Sequence, residues 1–238
     1  MIKSITSKSN PIVKYALSLK DNKTRKQEKC FLAETFKSLD MALKNKEVKT
    51  VFALEWLELP EDVDLYLVSK EILKKLSSNV NPEGVVFIAK MKEIKEKNFD
   101  RILYLDEIND PGNMGTLIRT ALAFDYQAVI VSENSVSIYN EKVINSSKGA
   151  IFSIPVFNDD LANYKNSHQI IVTSLDKDSL PLDDFKQEDK FVLVLGNESH
   201  GVRREIYKLG TAKINIPIKN IDSLNVAVAG GILMNKIH

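Results

Sequence analysis

Five consecutive apolar residues, Phe191-Val192-Leu193-Val194-Leu195, run without interruption into Gly196. A strand with no polar alternation has no face left for water, so both of its faces are covered. Such a strand belongs in the middle of a parallel sheet with helices packed on either side. Flanking segments fit that frame. Ile102–Leu105, Ala128–Val131, Ile170–Thr173 and Ile214–Pro217 read as further strands. Between the first two, Met114, Leu117, Ile118, Ala121 and Leu122 recur at helical spacing. Asn140–Ser147 reads as a helix, and Ser223–Lys236 as a closing helix apolar nearly all round.

The first ninety residues repeat the alternation on a smaller scale. Asn10-Pro11 before Ile12, Val13 and Ala16 reads as an N-cap, a proline at N1 and an apolar stripe. A polar run from Lys20 to Lys29 leads to a short strand at Cys30–Ala33 and a helix over Thr35–Leu43. Strands are predicted at 50–54, 65–68 and 84–89, with helical stretches between. The charged stretch 91–99 lacks a useful buried face and marks a linker. The expected layout is a small α/β domain over 1–90, the linker, and a larger α/β domain over 100–238.

Charge divides the chain the same way. Residues 1–50 hold twelve Lys/Arg against five Asp/Glu, a balance of +7, so a net charge of +1 leaves −6 for the remainder. A basic segment of this kind is either a solvated face or a footprint for a polyanion, and charge alone leaves both open. With one cysteine, Cys30, and three scattered histidines, neither a disulfide nor a zinc-type cluster is expected, and no metal is assigned. No apolar run is long enough to span a bilayer, and the N-terminus lacks the pattern of a signal peptide. A cytoplasmic location is the expectation.

Three segments of the second half combine a strand end with polar residues. In Leu105–Thr120 a strand turns through Asp110, Pro111, Gly112 and Asn113 into a helix whose Arg119 lies off the apolar stripe. In Leu195–Val202 the buried strand ends in Gly196-Asn197-Glu198-Ser199-His200-Gly201. There Gly196 would let a ligand approach the backbone, and Gly201 would support the turn into a helix. In Ile214–Leu233 a strand and a polar loop precede a helix rich in small residues, for which Asp222 or Ser223 is a candidate cap. Gly230 and Gly231 inside that helix each cost about 1 kcal/mol, which some close packing should offset. The three-glycine dinucleotide fingerprint is absent, which argues against a nicotinamide enzyme and a Rossmann-type methyltransferase.

Taken in order, the three segments resemble the motifs of the SpoU/TrmH family within the SPOUT superfamily, over roughly residues 101–237. Ser9–Lys14, Phe31–Glu34 and Lys37 are similar, less specifically, to the small RNA-substrate-binding domain that precedes many members. The resemblance implies an α/β catalytic domain with a parallel sheet and a deep C-terminal trefoil knot, a rare exception to unknotted chains. It implies S-adenosyl-L-methionine as cofactor, a homodimer, and methylation of a ribose 2′-hydroxyl in RNA, with ribosomal RNA favoured by the two-domain layout. Carried over by position, Asn113 and Arg119 match the first-motif polar pair, Glu198 the second-motif glutamate, and Ser223 and Asn225 the third-motif pair. Thr173, Leu195, Gly196, Asn197, Ile216, Ile218, Leu224 and Asn225 fall where the family holds the cofactor.

The chemistry suits these residue types. A ribose hydroxyl is a poor nucleophile that must lose its proton as it attacks the sulfonium methyl, so it needs a base or a cation facing the developing alkoxide. Arg119 supplies the cation, Asn113 and Ser223 would position the reacting groups, and Glu198 would orient Arg119 or polar loop groups. Several positions depart from the family pattern: Thr35 and Asp125 where glycine is usual, Asn145 where arginine is common, and Ser199 where glycine is usual. The third-motif loop is a residue shorter, with Asp222 for glutamate. An RNA-binding assembly protein without catalysis and a transfer-RNA ribose methyltransferase remain as alternatives.

Overall fold

The computed structural model describes residues 3–174, 176 and 179–238. In chain order the first half runs β1 (Lys3–Ile5), α1 (Pro11–Ser18), α2 (Asn22–Glu28), β2 (Cys30–Glu34), α3 (Phe36–Lys44), β3 (Val48–Ala53), β4 (Asp64–Val68), α4 (Lys70–Leu76) and β5 (Val85–Lys90). Then come β6 (Arg101–Leu105), α5 (Pro111–Ala123), β7 (Ala128–Val131), α6 (Glu141–Ser147), β8 (Val156–Asn158), β9 (Gln169–Thr173), β10 (Leu180–Pro181), β11 (Phe191–Leu195), α7 (Arg204–Tyr207), β12 (Ala212–Asn215) and α8 (Val226–Lys236). The chain forms two compact units, Met1–Glu93 with Tyr139–Ser153, and Ile94–Ile138 with Ile154–His238.

The first unit is built on a five-stranded sheet of order β1-β4-β3-β5-β2, in which only β5 runs against the others. Its core joins Val13, Phe52, Ile72, Leu73 and Ile88, all 2% exposed or less. The Asn10 side chain caps α1 by accepting from the Ile12 amide at 3.0 Å, with Pro11 in the first turn, as the sequence predicts. The polar run 20–29, by contrast, contains a helix that apolar periodicity could not reveal. Asp21 caps α2, and the buried Arg25 guanidinium donates to the Leu19 and Lys20 carbonyls at 3.1 and 2.7 Å. Orphan carbonyls at the end of α1 thus find their donor in a side chain six residues on.

Tyr139–Ser153 packs with this first unit although it lies between β7 and β8. Phe152 stacks on Phe31 and meets Phe87, while the Asn145 amide donates to Glu34 Oε1 at 3.1 Å and to Ser78 Oγ at 2.8 Å. Burial alone would raise the Glu34 carboxyl pKa, but hydrogen bonds from Ser77, Ser78 and Asn145 outweigh it and hold the group below its ordinary range. Asn145, unusual by its resemblance, therefore has a defined role inside this cluster. Thr35 and Asp125, both standing where glycine is usual, adopt positive φ of 80° and 58°. Those are conformations glycine takes without strain and other residues take rarely.

The second unit holds a seven-stranded, wholly parallel sheet of order β10-β12-β9-β11-β6-β7-β8. The apolar run 191–195 is its middle strand: Leu195 pairs with Leu105 of β6 and Val194 with Val172 of β9. Because all strands are parallel, their carboxyl ends share one edge, where α/β sheets present ligand-binding loops. Three boundaries differ from the sequence reading. β12 starts at Ala212 and ends at Asn215, leaving Ile216 and Pro217 in the following loop. α8 starts at Val226, so neither Asp222 nor Ser223 caps it; Asn225 does. The short strands β8 and β10 carry too few residues to show a period.

Candidate functional site

The carboxyl edge is organised first by a buried charge. Asp106, immediately after β6, is fully buried and accepts from the Arg203 backbone amide and Nε, both at 2.8 Å. The Arg203 Nη2 completes the pair at 2.7 Å. That pairing raises the Arg203 pKa above its ordinary value. A buried carboxylate is tolerated only when its lone pairs are filled this way. The pair ties the end of β6 to the loop after β11, 97 residues away in sequence. Sequence reasoning did not find it; an acidic residue ending an apolar strand was the available signal.

The loop after β11 closes on itself. The Asn197 amide donates to the Gly201 carbonyl at 3.0 Å, and the Gly201 amide to the Asn197 carbonyl at 2.9 Å. Gly201 has a φ of +72°, a turn conformation, and the next helix begins only at Arg204. A Cβ on Gly196 would lie 2.2 Å from the Gly201 carbonyl carbon and the Val202 nitrogen. Glycine at 196 is thus demanded by the chain's own crossing. The buried Asn197 side chain donates to the Glu107 carbonyl at 2.8 Å and accepts from the Ser199 amide at 2.8 Å. Each polar group of Asn197 has a partner within the chain, and its structural part is to hold the loop.

Two helix starts meet this loop. Asp110 caps α5 by accepting from the Asn113 amide at 2.8 Å, which places Asn113 in the first turn. Asn225 caps α8, its Oδ1 accepting from the Ala227 and Val228 amides at 2.9 and 3.3 Å. The Asn113 side chain joins all three segments: its Nδ2 donates to Glu198 Oε1 at 2.9 Å, and its Oδ1 accepts from Asn225 Nδ2 at 3.1 Å. Donor meets acceptor at every link, so the chain Glu198–Asn113–Asn225 has one consistent amide orientation. Behind it, a Cβ on Gly230 of α8 would lie 2.4 Å from Leu117 of α5 and 2.8 Å from Leu195. The close approach of α8 to α5 therefore explains Gly230.

Other expected residues lie around this chain without joining it. Arg119 is exposed on α5 and, among the described residues, has no hydrogen-bond or ion-pair partner. Six residues along a helix separate it from Asn113 by about 9 Å of rise and a third of a turn of azimuth. Glu198 accordingly binds Asn113 and not Arg119. Ser223 is exposed, with no hydrogen bond among the described residues. Thr173 ends β9 and donates to the Val194 carbonyl at 3.2 Å, which leaves its oxygen able to accept. Ile216, Ile218 and Leu224 are half-buried apolar side chains in the loop between β12 and α8.

Both halves of the chain match known families. The SpoU rRNA Methylase family matches residues 100–235, and the MRM3-like substrate binding domain matches residues 10–86. The 23S rRNA (guanosine(2553)-2'-O)-methyltransferase RlmP of Bacillus subtilis (strain 168) is 29% identical, covering 98% of each chain. The 23S rRNA (guanosine-2'-O-)-methyltransferase RlmB of Acinetobacter baylyi is 29% identical over 81% of this chain and 85% of its own. Among solved structures, an AdoMet-bound rRNA methyltransferase from Sinorhizobium meliloti superposes with a TM-score of 0.89 at 26% identity, covering 99% of this chain and 97% of its own. With a methylase domain spanning more than half its length and the polar chain Glu198–Asn113–Asn225 on the carboxyl edge of that domain's sheet, the protein belongs to the SpoU rRNA methylase family.

Proposed function

We propose that this protein transfers a methyl group from S-adenosyl-L-methionine to a ribose 2′-hydroxyl of ribosomal RNA. The observation that carries the reading is the Asn113 side chain, which gathers the loop after β11 and the start of α8 onto α5. The names of the relatives over nearly the whole chain, and the AdoMet-bound neighbour, support the substrate and the cofactor.

The residues at this edge suit the cofactor. Ile216, Ile218 and Leu224 offer apolar surface for a flat heterocycle beside buried Leu195, and the Thr173 oxygen and loop backbone offer acceptors. Such a mixture of apolar walls and a few placed polar groups is what a nucleoside-like ligand needs. S-adenosylmethionine, when bound, supplies an electrophilic methyl carbon on a positively charged sulfur. Arg119 binds the phosphate beside the target ribose and faces the negative charge that grows on the 2′-oxygen as its proton leaves. It stabilises that charge and does not take the proton, because a guanidinium holds its own proton firmly. Asn113, fixed between Glu198 and Asn225, orients the reacting groups with Ser223, without a rotamer search in the transition state. No step requires a metal.

The same reading includes a homodimer, a C-terminal trefoil knot, a boundary near 91–99 and a cytoplasmic location. Exposed Val228 and Ile232, one turn apart on α8, favour a second copy as cover. The packing of α8 onto Leu117 and Leu195 favours a C-terminal chain passing back over the sheet. No helix among the described residues is long and apolar enough to cross a membrane.

The test is methyl transfer in vitro. Protein, labelled S-adenosylmethionine and unmodified ribosomal RNA should give label at one ribose 2′-oxygen, and Arg119→Ala should abolish it while cofactor binding persists. Absence of transfer to any RNA by a protein that binds the cofactor would favour the assembly-protein alternative.

A further inference from the structure

Topology brings five lysines of the first unit to one end of three adjacent strands. β2 and β3 begin, and β5 ends, on the same edge, since β5 runs antiparallel to both. At that edge lie Lys29 before β2, Lys46 and Lys49 at the start of β3, and Lys90 and Lys92 at the end of β5. All five are exposed.

Backbone hydrogen bonds draw these segments together. The Met91 amide donates to the Lys29 carbonyl and the Lys90 amide to the Glu47 carbonyl, both at 2.8 Å. Neighbouring strands are about 5 Å apart, so the five ammonium groups fall within the reach of a few consecutive phosphates. Among the described residues, Lys29, Lys46 and Lys90 have no carboxylate partner. Lys49 sits over the Tyr15 ring at 5.6 Å, and Tyr15 donates to Glu28 at 3.2 Å. Three acids stand among these lysines: Glu28, exposed Glu93 beside Lys92, and Glu47, which is 8% exposed and 3.7 Å from Lys92, so the lysines keep the majority.

The other end of the same three strands has the opposite balance. Glu34, Glu55 and Glu83 stand at the end of β2, just past β3 and just before β5, with Lys37 as the nearby cation. A surface that merely keeps a protein soluble balances its signs, whereas an edge with an excess of one sign favours a polyanion.

We propose that Lys29, Lys46, Lys49, Lys90 and Lys92 form the surface on which the first unit docks the phosphate backbone of the RNA substrate. The inference rests on the reading of this chain as an RNA methyltransferase, and adds where on the substrate-binding unit the RNA lies. Contacts of this kind position a substrate without reading its sequence.

The test uses the full chain and a ribosomal RNA fragment, with affinity measured by fluorescence anisotropy over a salt series. Removing three phosphate contacts should lower the slope of log affinity against log salt by about 2 to 3. K29Q/K46Q/K90Q should show that loss, with affinity at least about tenfold weaker at 0.1 M salt and unchanged S-adenosylmethionine binding. K8Q/K70Q, at the opposite edge, should keep the original slope. A first variant with the original slope, or a control variant that loses as much, overturns the docking surface while RNA binding itself stands. A wild-type protein that neither binds nor methylates RNA overturns the functional reading, and this surface with it.

Discussion

Asn113 and Glu198, 85 residues apart in the chain, are joined by a 2.9 Å hydrogen bond from the amide to the carboxylate. Asn113 also accepts from Asn225 at 3.1 Å, so one side chain fixes the mutual positions of three loops. Replacing it by alanine removes both links and leaves Glu198 free to swing. Asn113→Ala should lower kcat for RNA methylation at least about tenfold, the scale of a misplaced reacting group. Being only part-buried, the site should cost less than about 1 kcal/mol in stability. Steady-state kinetics beside a urea titration would separate the two, and an unchanged kcat would reduce the link to local structure.

Gly196 has no room for a methyl group. Its Cβ would stand 2.2 Å from backbone atoms of Gly201 and Val202, neither of which can rotate away as a side chain could. Gly196→Ala should therefore destabilise the protein by about 1–3 kcal/mol, the range for overpacking a tight site. It should also displace the loop carrying Glu198 and weaken cofactor binding. The midpoint of urea unfolding and calorimetry with S-adenosylmethionine read the two effects, and an unshifted midpoint would contradict this packing.

Asp106 is completely buried, with both carboxylate oxygens engaged by Arg203. Asp106→Asn keeps the shape but removes the nearest counter-charge, leaving the guanidinium with Glu107 at 3.6 Å and Glu205 at 3.2 Å. Breaking a buried pair from one side costs about 3–5 kcal/mol, and the partial exposure of Arg203, 24% of its side chain, lets water recover some of that. A loss of about 2–3 kcal/mol is expected from chemical denaturation at constant m-value. A loss below about 0.5 kcal/mol would place Asp106 outside the stabilising framework.

Glu47 makes stability depend on pH in an unusual direction. Burial raises its folded-state pKa to about 7, with Lys92 opposing at 3.7 Å, against an unfolded value of 4.5. Between these values the unfolded chain releases a proton that the folded protein keeps, so stability falls as pH rises from about 4.5 to 7. The full effect is on the order of 3 kcal/mol above that window. Glu47→Gln removes it, so the variant should gain on the wild type between pH 5 and pH 8. Urea midpoints at both pH values check this; a gap that is the same at pH 5 and pH 8 would contradict it.

Much of the architecture can be read from the sequence because it rests on local pattern. Uninterrupted apolar runs such as 191–195 have a single physical solution, a covered parallel strand, and Asn10-Pro11 announces a helix start by its own chemistry. The residues of the polar chain, Asn113, Glu198 and Asn225, were likewise identifiable, since their types and order carry the family resemblance. Helix α2 was hidden because its support is a buried arginine reaching back to the end of α1, which leaves no apolar period.

Local pattern was enough to establish the class of fold, the sheet edge that carries the candidate site, and the residue types placed there. Which of those residues meet was settled by long-range packing. It gave the α8 cap to Asn225 and not Ser223, gave Glu198 to Asn113 and not Arg119, and paired Asp106 with Arg203 across 97 residues. It also set Tyr139–Ser153 among the residues of the first unit and gathered five lysines at one end of three strands. The reason is physical: strand and helix preferences act over a few neighbouring residues, whereas hydrogen bonds and charge pairs between distant segments exist only after the sheet fixes which strand ends lie side by side.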